Sequence, residues 1–162
     1  MNNSPSRITI LGIGNTLYSD EGIGVYCIPF LQEIFANCED IVIEDGSTDG
    51  MKLLSFVEES ENLLIIDAIN AGKEPGTFIR IEGEEIPKYF GVKMSIHQMG
   101  FAEVLAAAQF RDKYPKNIIM VGMQPYSLAL SPEVTDQGKE TAKLLIDEVK
   151  KIVASWRENV SN

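Results

Sequence analysis

The sequence of 162 residues has only two cysteines, Cys27 and Cys38, and a single histidine, His97. The cysteine spacing matches neither a metal-binding motif nor the framework of a disulfide-rich secreted domain. Cys27 lies in an apolar stretch with helical spacing, where a buried free thiol is the expected state. The cysteine content is therefore typical of a reducing compartment, and we expect a cytoplasmic protein.

Basic residues are also few, because 14 Lys and Arg stand against 24 Asp and Glu, giving a net charge of −10. A surface of this sign repels phosphates, which argues against binding to nucleic acid or to anionic membranes. No apolar run approaches the roughly 20 residues that span a bilayer. The first residues, MNNSPSR, lack the apolar region of a secretory signal. We therefore expect one domain over residues 1–162, with no membrane insertion.

Several familiar motifs are missing as well. The chain has no G-x-S-x-G elbow, no G-x-x-x-x-G-K-S/T phosphate loop and no H-E-x-x-H zinc motif. The glycine-rich segment 11–25, LGIGNTLYSDEGIGV, has Leu17 where a dinucleotide fingerprint needs its third glycine. Asp20 and Glu21 would also repel a pyrophosphate. A nucleotide-binding enzyme stays open as an alternative that these two acids disfavour.

Apolar, β-branched runs alternate with segments of helical period along the chain, which predicts the α/β class. We expect a three-layer α/β/α sandwich around a mostly parallel, twisted five-stranded sheet. Strands are predicted at 7–14, 40–45, 62–69, 76–83 and 117–124, the fourth at an edge. Helices are predicted at 21–36, 51–59, 99–110 and 131–156, the first capped by Asp20 and the last by Ser131. Residues 84–98 are predicted as a loop with a short helical turn. The first helix should bury Ile23, Tyr26, Cys27, Phe30 and Ile34.

Polar residues at the carboxyl ends of the strands are the candidates for chemistry, because open α/β sheets bind ligands there. Glu21 follows the first strand, Asp67 ends the third, and His97 precedes the third helix. Two carboxylates and an imidazole suit a borderline divalent cation with open coordination positions. Structural roles stay open for each residue: Glu21 can complement a helix N-terminus, Asp67 can close a turn, and His97 can begin a helix.

The segment GIGNTLYSDEGIGV resembles the G-x-G-N-x-L-x-x-D-D/E-G-x-G signature of the [NiFe]-hydrogenase maturation endopeptidases. Three further segments are similar to this family in the same order: EDGSTDGMKLL, LLIIDAINAGKEPGT and SIHQMGFAEVLA. The resemblance runs over residues 7–125. Ser47 departs from it, since the family more often has glycine at that position.

The resemblance implies an aspartyl-type or metal-dependent endopeptidase that removes the C-terminal extension of the [NiFe]-hydrogenase large-subunit precursor once nickel is bound. It implies that Glu21, Asp67 and His97 contact the nickel and are the catalytic residues. Because the precursor carries the nickel, no tightly bound cofactor is expected. The enzyme is expected to be a monomer. The candidates for positioning the substrate are Asp45, Ser47 and Thr48.

The sequence leaves two other functional interpretations of the same residues open. The protein could be a non-enzymatic metal-binding factor in hydrogenase assembly, or a general aminopeptidase-like metalloenzyme. The irregular segment 83–96, close to His97, is the predicted contact with the client hydrogenase.

Overall fold

The computed structural model describes residues 7–47, 50–92 and 100–160. In these ranges, the strands form one sheet in the spatial order β2-β1-β3-β5-β4. The strands are β1 (Ile8–Gly12), β2 (Ile41–Asp45), β3 (Asn62–Ala68), β4 (Phe78–Glu82) and β5 (Asn117–Met123). All neighbouring pairs are parallel except β4 and β5, which are antiparallel. The predicted five-stranded, mostly parallel sheet with its fourth strand at an edge is confirmed.

Helices cover both faces of this sheet. They are α1 (Ile23–Ile34), α2 (Gly50–Glu59), α3 (Glu85–Val92), α4 (Phe101–Phe110) and α5 (Asp136–Val160). Successive side chains of β3 point to opposite faces. Leu64 and Ile66 join an apolar cluster with α1 and α5, whereas Leu63 and Ile65 join a second cluster with α2, α3 and α4. The arrangement is therefore a three-layer α/β/α sandwich, as predicted.

The first helix is shorter than predicted, and its buried stripe includes the predicted Ile23 and Cys27 but not two other predicted positions. A 3₁₀ turn, Ser19–Gly22, precedes α1, which ends at Ile34 and contains Pro29. Phe30 and Ile34 are both more than 40% exposed, while Ile28 and Leu31 are buried against the sheet. The predicted stripe was wrong at these two positions because an apolar residue is found on nearly every side of this helix.

Residues 85–92 form helix α3, where a loop with one helical turn was predicted. Ile86 and Phe90 lie one turn apart and are buried in the second cluster. Pro87 is tolerated because it falls in the first turn, where its missing N–H has no partner within the helix. The apolar spacing of Ile86, Tyr89 and Phe90 was the signal for this helix.

The last helix begins at Asp136, later than the predicted start at Ser131. The side-chain oxygen of Thr135 accepts the N–H of Gly138 at 2.9 Å, which is the bond an N-cap makes. Ser131 instead accepts the N–H of Glu133 at 3.3 Å within the preceding loop. Along the described part of the chain, no helix is both long and apolar enough to cross a membrane.

Candidate active site

The candidate site lies where the chain leaves the carboxyl ends of β1 and β3. These strands are adjacent. Helix α1, which follows β1, covers one face of the sheet, whereas α3 and α4, which come after β3 and β4, cover the other. Such a point opens a crevice between the strand ends. Gly12 of β1 is level with Asp45 of β2 and with Ile66 of β3. Asp67, the next residue of β3, therefore reaches the same edge as Asp45.

Gly14, in the loop after β1, packs closely against the end of β3. Its φ of +136° lies in a region that favours glycine over residues with a side chain. A Cβ at this position would stand 1.9 Å from the carbonyl oxygen of Glu21 and 3.2 Å from Oδ1 of Asp67. Only a glycine therefore allows the main chain of Glu21 and the carboxylate of Asp67 to approach the same point.

Glu21 lies in the 3₁₀ turn that precedes α1. Its N–H donates to the carbonyl of Tyr18 at 3.0 Å, which closes this turn. The residue is half-buried, and its Oε1 atom is shielded from solvent. A short, defined turn, rather than a long loop, therefore holds this residue.

Asp67 is fully buried at the end of β3. Its Oδ1 atom accepts the N–H of Ala68 at 2.8 Å. A buried carboxylate needs such hydrogen bonds, because the loss of hydration disfavours its charged form. Burial and a main-chain bond together fix the position of this oxygen next to Gly14.

Gln124 holds the loop that follows Asp67, and the sequence pattern did not point to it. Its Oε1 accepts the N–H groups of Ala71 and Lys73 at 2.8 and 3.1 Å. Its Nε2 donates to Oδ1 of Asn70 at 2.9 Å. A polar residue directly after the buried strand β5 was the available signal, since a buried amide is usually hydrogen-bonded.

Asp45 and Ser47 form a compact turn at the end of β2. Oδ1 of Asp45 accepts the Ser47 N–H at 2.8 Å and the Ser47 hydroxyl at 2.6 Å. Both residues are exposed at the carboxyl edge of the sheet. The structure thus brings Glu21, Asp67, Asp45 and Ser47 to one edge, whereas His97 and Thr48 lie outside the described residues.

Asp20 does not cap α1, contrary to the sequence prediction. Its side chain is fully buried, and no side chain makes a capping bond at that helix start. The carboxylate instead accepts hydrogen bonds from Tyr126, Ser127 and Thr135, which lie between β5 and α5. The D-E pair of the sequence therefore separates into a structural Asp20 and a Glu21 whose main chain lies close to Gly14 and the end of β3.

The thiol of Cys27 has no place in the chemistry of the site. Cys27 is a free, fully buried residue of α1, as predicted. Burial raises the pKa of its thiol to about 12, so the nucleophilic thiolate is suppressed near neutral pH. Within the three described ranges, no group of three or more His, Cys, Asp or Glu side chains is arranged to hold a metal ion. The predicted trio includes His97, which lies outside these ranges.

The family model of hydrogenase maturation proteases (HycI) matches residues 25–151. The chain belongs to this family. A curated member, the hydrogenase expression/formation protein HupD of Rhizobium leguminosarum bv. viciae, is 39% identical over 93% of this chain and 75% of its own length. The hydrogenase 2 maturation protease of Escherichia coli K12 is 37% identical over 94% of this chain and 92% of its own length.

Solved structures of the maturation proteases share this fold. The hydrogenase maturating endopeptidase HybD of E. coli superposes with a TM-score of 0.79 at 34% identity, covering 94% of this chain and 93% of its own. The [NiFe] hydrogenase maturation protease HybD of Thermococcus kodakarensis gives a TM-score of 0.72 at 26% identity, covering 90% and 98%. The chain is therefore an endopeptidase of hydrogenase maturation, and the reading as a non-enzymatic factor is set aside.

Proposed function

We propose that this maturation protease removes a C-terminal extension from the precursor of a [NiFe]-hydrogenase large subunit, after nickel has entered that precursor. Glu21, Asp67 and His97 contact the nickel that the precursor carries. The enzyme acts in the cytoplasm as a monomer and needs no tightly bound cofactor of its own. Nickel is thus part of the substrate, and it is the feature by which the enzyme recognises the loaded precursor.

One observation carries this proposal: the main chain of Glu21 and the carboxylate of Asp67 converge on Gly14 at the switch point of the sheet. Carboxylate oxygens are suitable ligands for a borderline divalent cation, and an imidazole nitrogen completes a mixed set. The donor chemistry therefore fits a nickel ion presented from outside.

A site of this composition also explains why the enzyme would respond to a loaded precursor. Two carboxylates and one imidazole leave coordination positions open, and such a set binds an ion weakly without further ligands. The groups that already hold the nickel in the precursor supply those further ligands. A precursor without nickel then lacks the group that the enzyme recognises, so maturation proceeds only after metal insertion.

The turn at Asp45 and Ser47 supports a role in positioning the substrate chain. The Ser47 hydroxyl donates a hydrogen bond to Asp45, so the lone pairs of its oxygen can accept a peptide N–H. The second carboxylate oxygen of Asp45 can accept another. Thr48 follows directly in the sequence, and we include it in the same positioning segment.

The direct test is incubation with a candidate nickel-loaded precursor, followed by mass spectrometry of its C-terminus. We expect the wild-type enzyme to release one peptide. The variants Glu21→Gln, Asp67→Asn and His97→Ala should each lower the rate at least about 100-fold, because each removes a ligand to the substrate's metal.

Glu140→Gln is the matched control, since Glu140 is an exposed glutamate of α5 that forms an ion pair with Lys143, one turn further along the same helix. It should cleave at the wild-type rate. Normal cleavage by the three site variants, with their fold intact by circular dichroism, would contradict the assignment of the site.

A further inference from the structure

Asp20 is a buried carboxylate that the chemistry of the site does not use. Its Oδ2 atom accepts the N–H groups of Tyr126 and Ser127 at 2.9 and 3.2 Å. Its Oδ1 atom accepts the N–H of Thr135 at 2.9 Å, and the Thr135 hydroxyl lies 3.0 and 3.1 Å from the two oxygens. Both oxygens therefore act as hydrogen-bond acceptors.

The main chain on either side of Asp20 is joined to the same loop. The N–H of Asp20 donates to Ser127 at 3.2 Å, and that of Ser19 donates to Ser131 at 2.8 Å. In the opposite direction, the N–H of Ser131 donates to the carbonyl of Leu17 at 2.9 Å. Tyr18 and Ser131 consequently form a parallel β-bridge. The turn with Glu21 and the loop between β5 and α5 therefore behave as one unit.

Two backbone features show that the turn with Glu21 has a defined conformation and is closely packed against α5. Ser19 has a φ of +49°, a conformation that residues other than glycine keep only where their surroundings impose it. Gly138, in the first turn of α5, has no room for a side chain, because a Cβ there would lie 2.7 Å from Oδ1 of Asp20. The carboxylate is thus packed against the start of α5.

The hydroxyl of Thr135 connects Asp20 to α5. Thr135 donates from its hydroxyl to the carboxylate and accepts the N–H of Gly138 on the same oxygen at 2.9 Å. A helix N-terminus also favours a neighbouring negative charge. Asp20 therefore anchors the Glu21 turn to α5, a helix of 25 residues that packs along the sheet.

We propose that Asp20 is a positioning residue for Glu21: its carboxylate fixes the turn that presents Glu21 to the substrate before the substrate binds. This inference rests on the proposed role of Glu21 in contacting the precursor's metal. It adds that the loop between β5 and α5, which carries no ligand, determines how accurately that contact is made.

The first experiment is a double-mutant cycle on kcat/KM with the nickel-loaded precursor. Asp20→Asn replaces one acceptor with an NH₂ group, and either orientation of the amide sets that group against an N–H donor. We expect a loss of about 10- to 100-fold, the usual effect of removing a group that orients a metal ligand. In a Glu21→Asp background the Asp20→Asn change should lower kcat/KM by less than about twofold, because the shorter side chain at position 21 already makes its contact with the metal poorly.

A second comparison separates positioning from stability. Thr135→Val removes the hydroxyl that bonds Asp20, whereas Thr141→Val removes a hydroxyl of α5 that bonds the Tyr126 hydroxyl and the Gln137 carbonyl instead. Both variants should lower the urea midpoint. Only Thr135→Val should lower kcat/KM of the folded enzyme, by about tenfold, and Thr141→Val should keep it within about twofold.

The outcomes distinguish the inference from the function on which it rests. If Asp20→Asn lowers kcat/KM by the same factor in both backgrounds, or if the two threonine variants lose cleavage equally, Asp20 has only a structural role and the inference is overturned. If Glu21→Gln cleaves at the wild-type rate, the proposed role of Glu21 itself fails. Loss with Glu21→Gln, together with a non-additive cycle, supports both.

Discussion

The carbonyl oxygen of Glu21 and the carboxylate of Asp67 approach Gly14 so closely that a side chain on this glycine would contact both. Glu21 belongs to the turn before α1, and Asp67 ends a buried strand. The glycine that joins the two therefore sets their separation. The opening G-x-G of the sequence, which resembles part of a phosphate loop, allows the main chain of Glu21 to lie close to the carboxylate of Asp67.

Gly14→Ala should be strongly destabilising, by about 2–4 kcal/mol, because it combines a positive φ with a collision against the main chain. Urea unfolding followed by circular dichroism measures this loss. Cleavage by the remaining folded enzyme should also fall, since the collision pushes Glu21 away from Asp67.

Gly83→Ala is the matched control for that substitution. Gly83 also has a positive φ, of +58°, but a Cβ there would meet no atom within 4 Å. The control should lower the free energy of unfolding by about 1 kcal/mol, from backbone strain alone. Equal losses of stability in the two variants would contradict the close approach at Gly14.

Much of this geometry could be predicted from the sequence. The apolar runs located all five strands, and the rule that ligands bind at the carboxyl ends of parallel strands selected Glu21 and Asp67. Both residues do lie at one edge of the sheet. Their contact with the substrate stays a prediction, as does that of His97.

The role of Asp20 could not be predicted, because its partners lie more than 100 positions away in the sequence. An acidic residue before a helix is usually a local cap, and pattern reasoning takes the local interpretation. Thr135 was missed for a related reason: Ser131 followed by Pro132 is a good helix start, but the bond between Asp20 and Thr135 places the real start later. Long-range hydrogen bonds overruled local propensity at both places.

The ion pair between Asp40 and Arg157 makes stability depend on pH. The guanidinium donates to both carboxylate oxygens, at 3.0 and 2.7 Å, and joins the end of α5 to the loop before β2. The hydrogen bonds from Arg157 hold the pKa of Asp40 below its ordinary value. Stability from this pair is therefore complete above the ordinary pKa of about 4 and is lost as the pH falls through the lowered value.

Asp40→Asn should consequently lower the free energy of unfolding by about 0.5–1 kcal/mol at pH 7, a modest value because both side chains are partly exposed. The difference from the wild type should shrink as the pH falls below about 4, because Asp40 is protonated first in the unfolded state and then, at lower pH, in the folded state as well. Urea titrations between pH 3 and pH 7 measure it. A difference that grows towards acid pH would contradict the direction of the pKa shift.

The two cysteines should differ sharply in reactivity. Cys27 is fully buried, and its thiol pKa is raised to about 12, whereas Cys38 is partly exposed. A thiol reagent at pH 8 should label Cys38 in the native protein and both residues in urea, because labelling requires an accessible thiolate. Peptide mapping by mass spectrometry identifies the modified residue. Rapid native labelling of Cys27 would show that α1 opens away from the sheet.

The dependence of cleavage on the nickel of the substrate tests the central claim most directly. One precursor preparation is divided into nickel-loaded and nickel-free halves, and release of the C-terminal peptide is followed by mass spectrometry with the wild-type enzyme. We expect cleavage of the loaded half alone, with at least about a 100-fold difference in rate. Equal cleavage of both halves would contradict the proposal that Glu21, Asp67 and His97 recognise the metal.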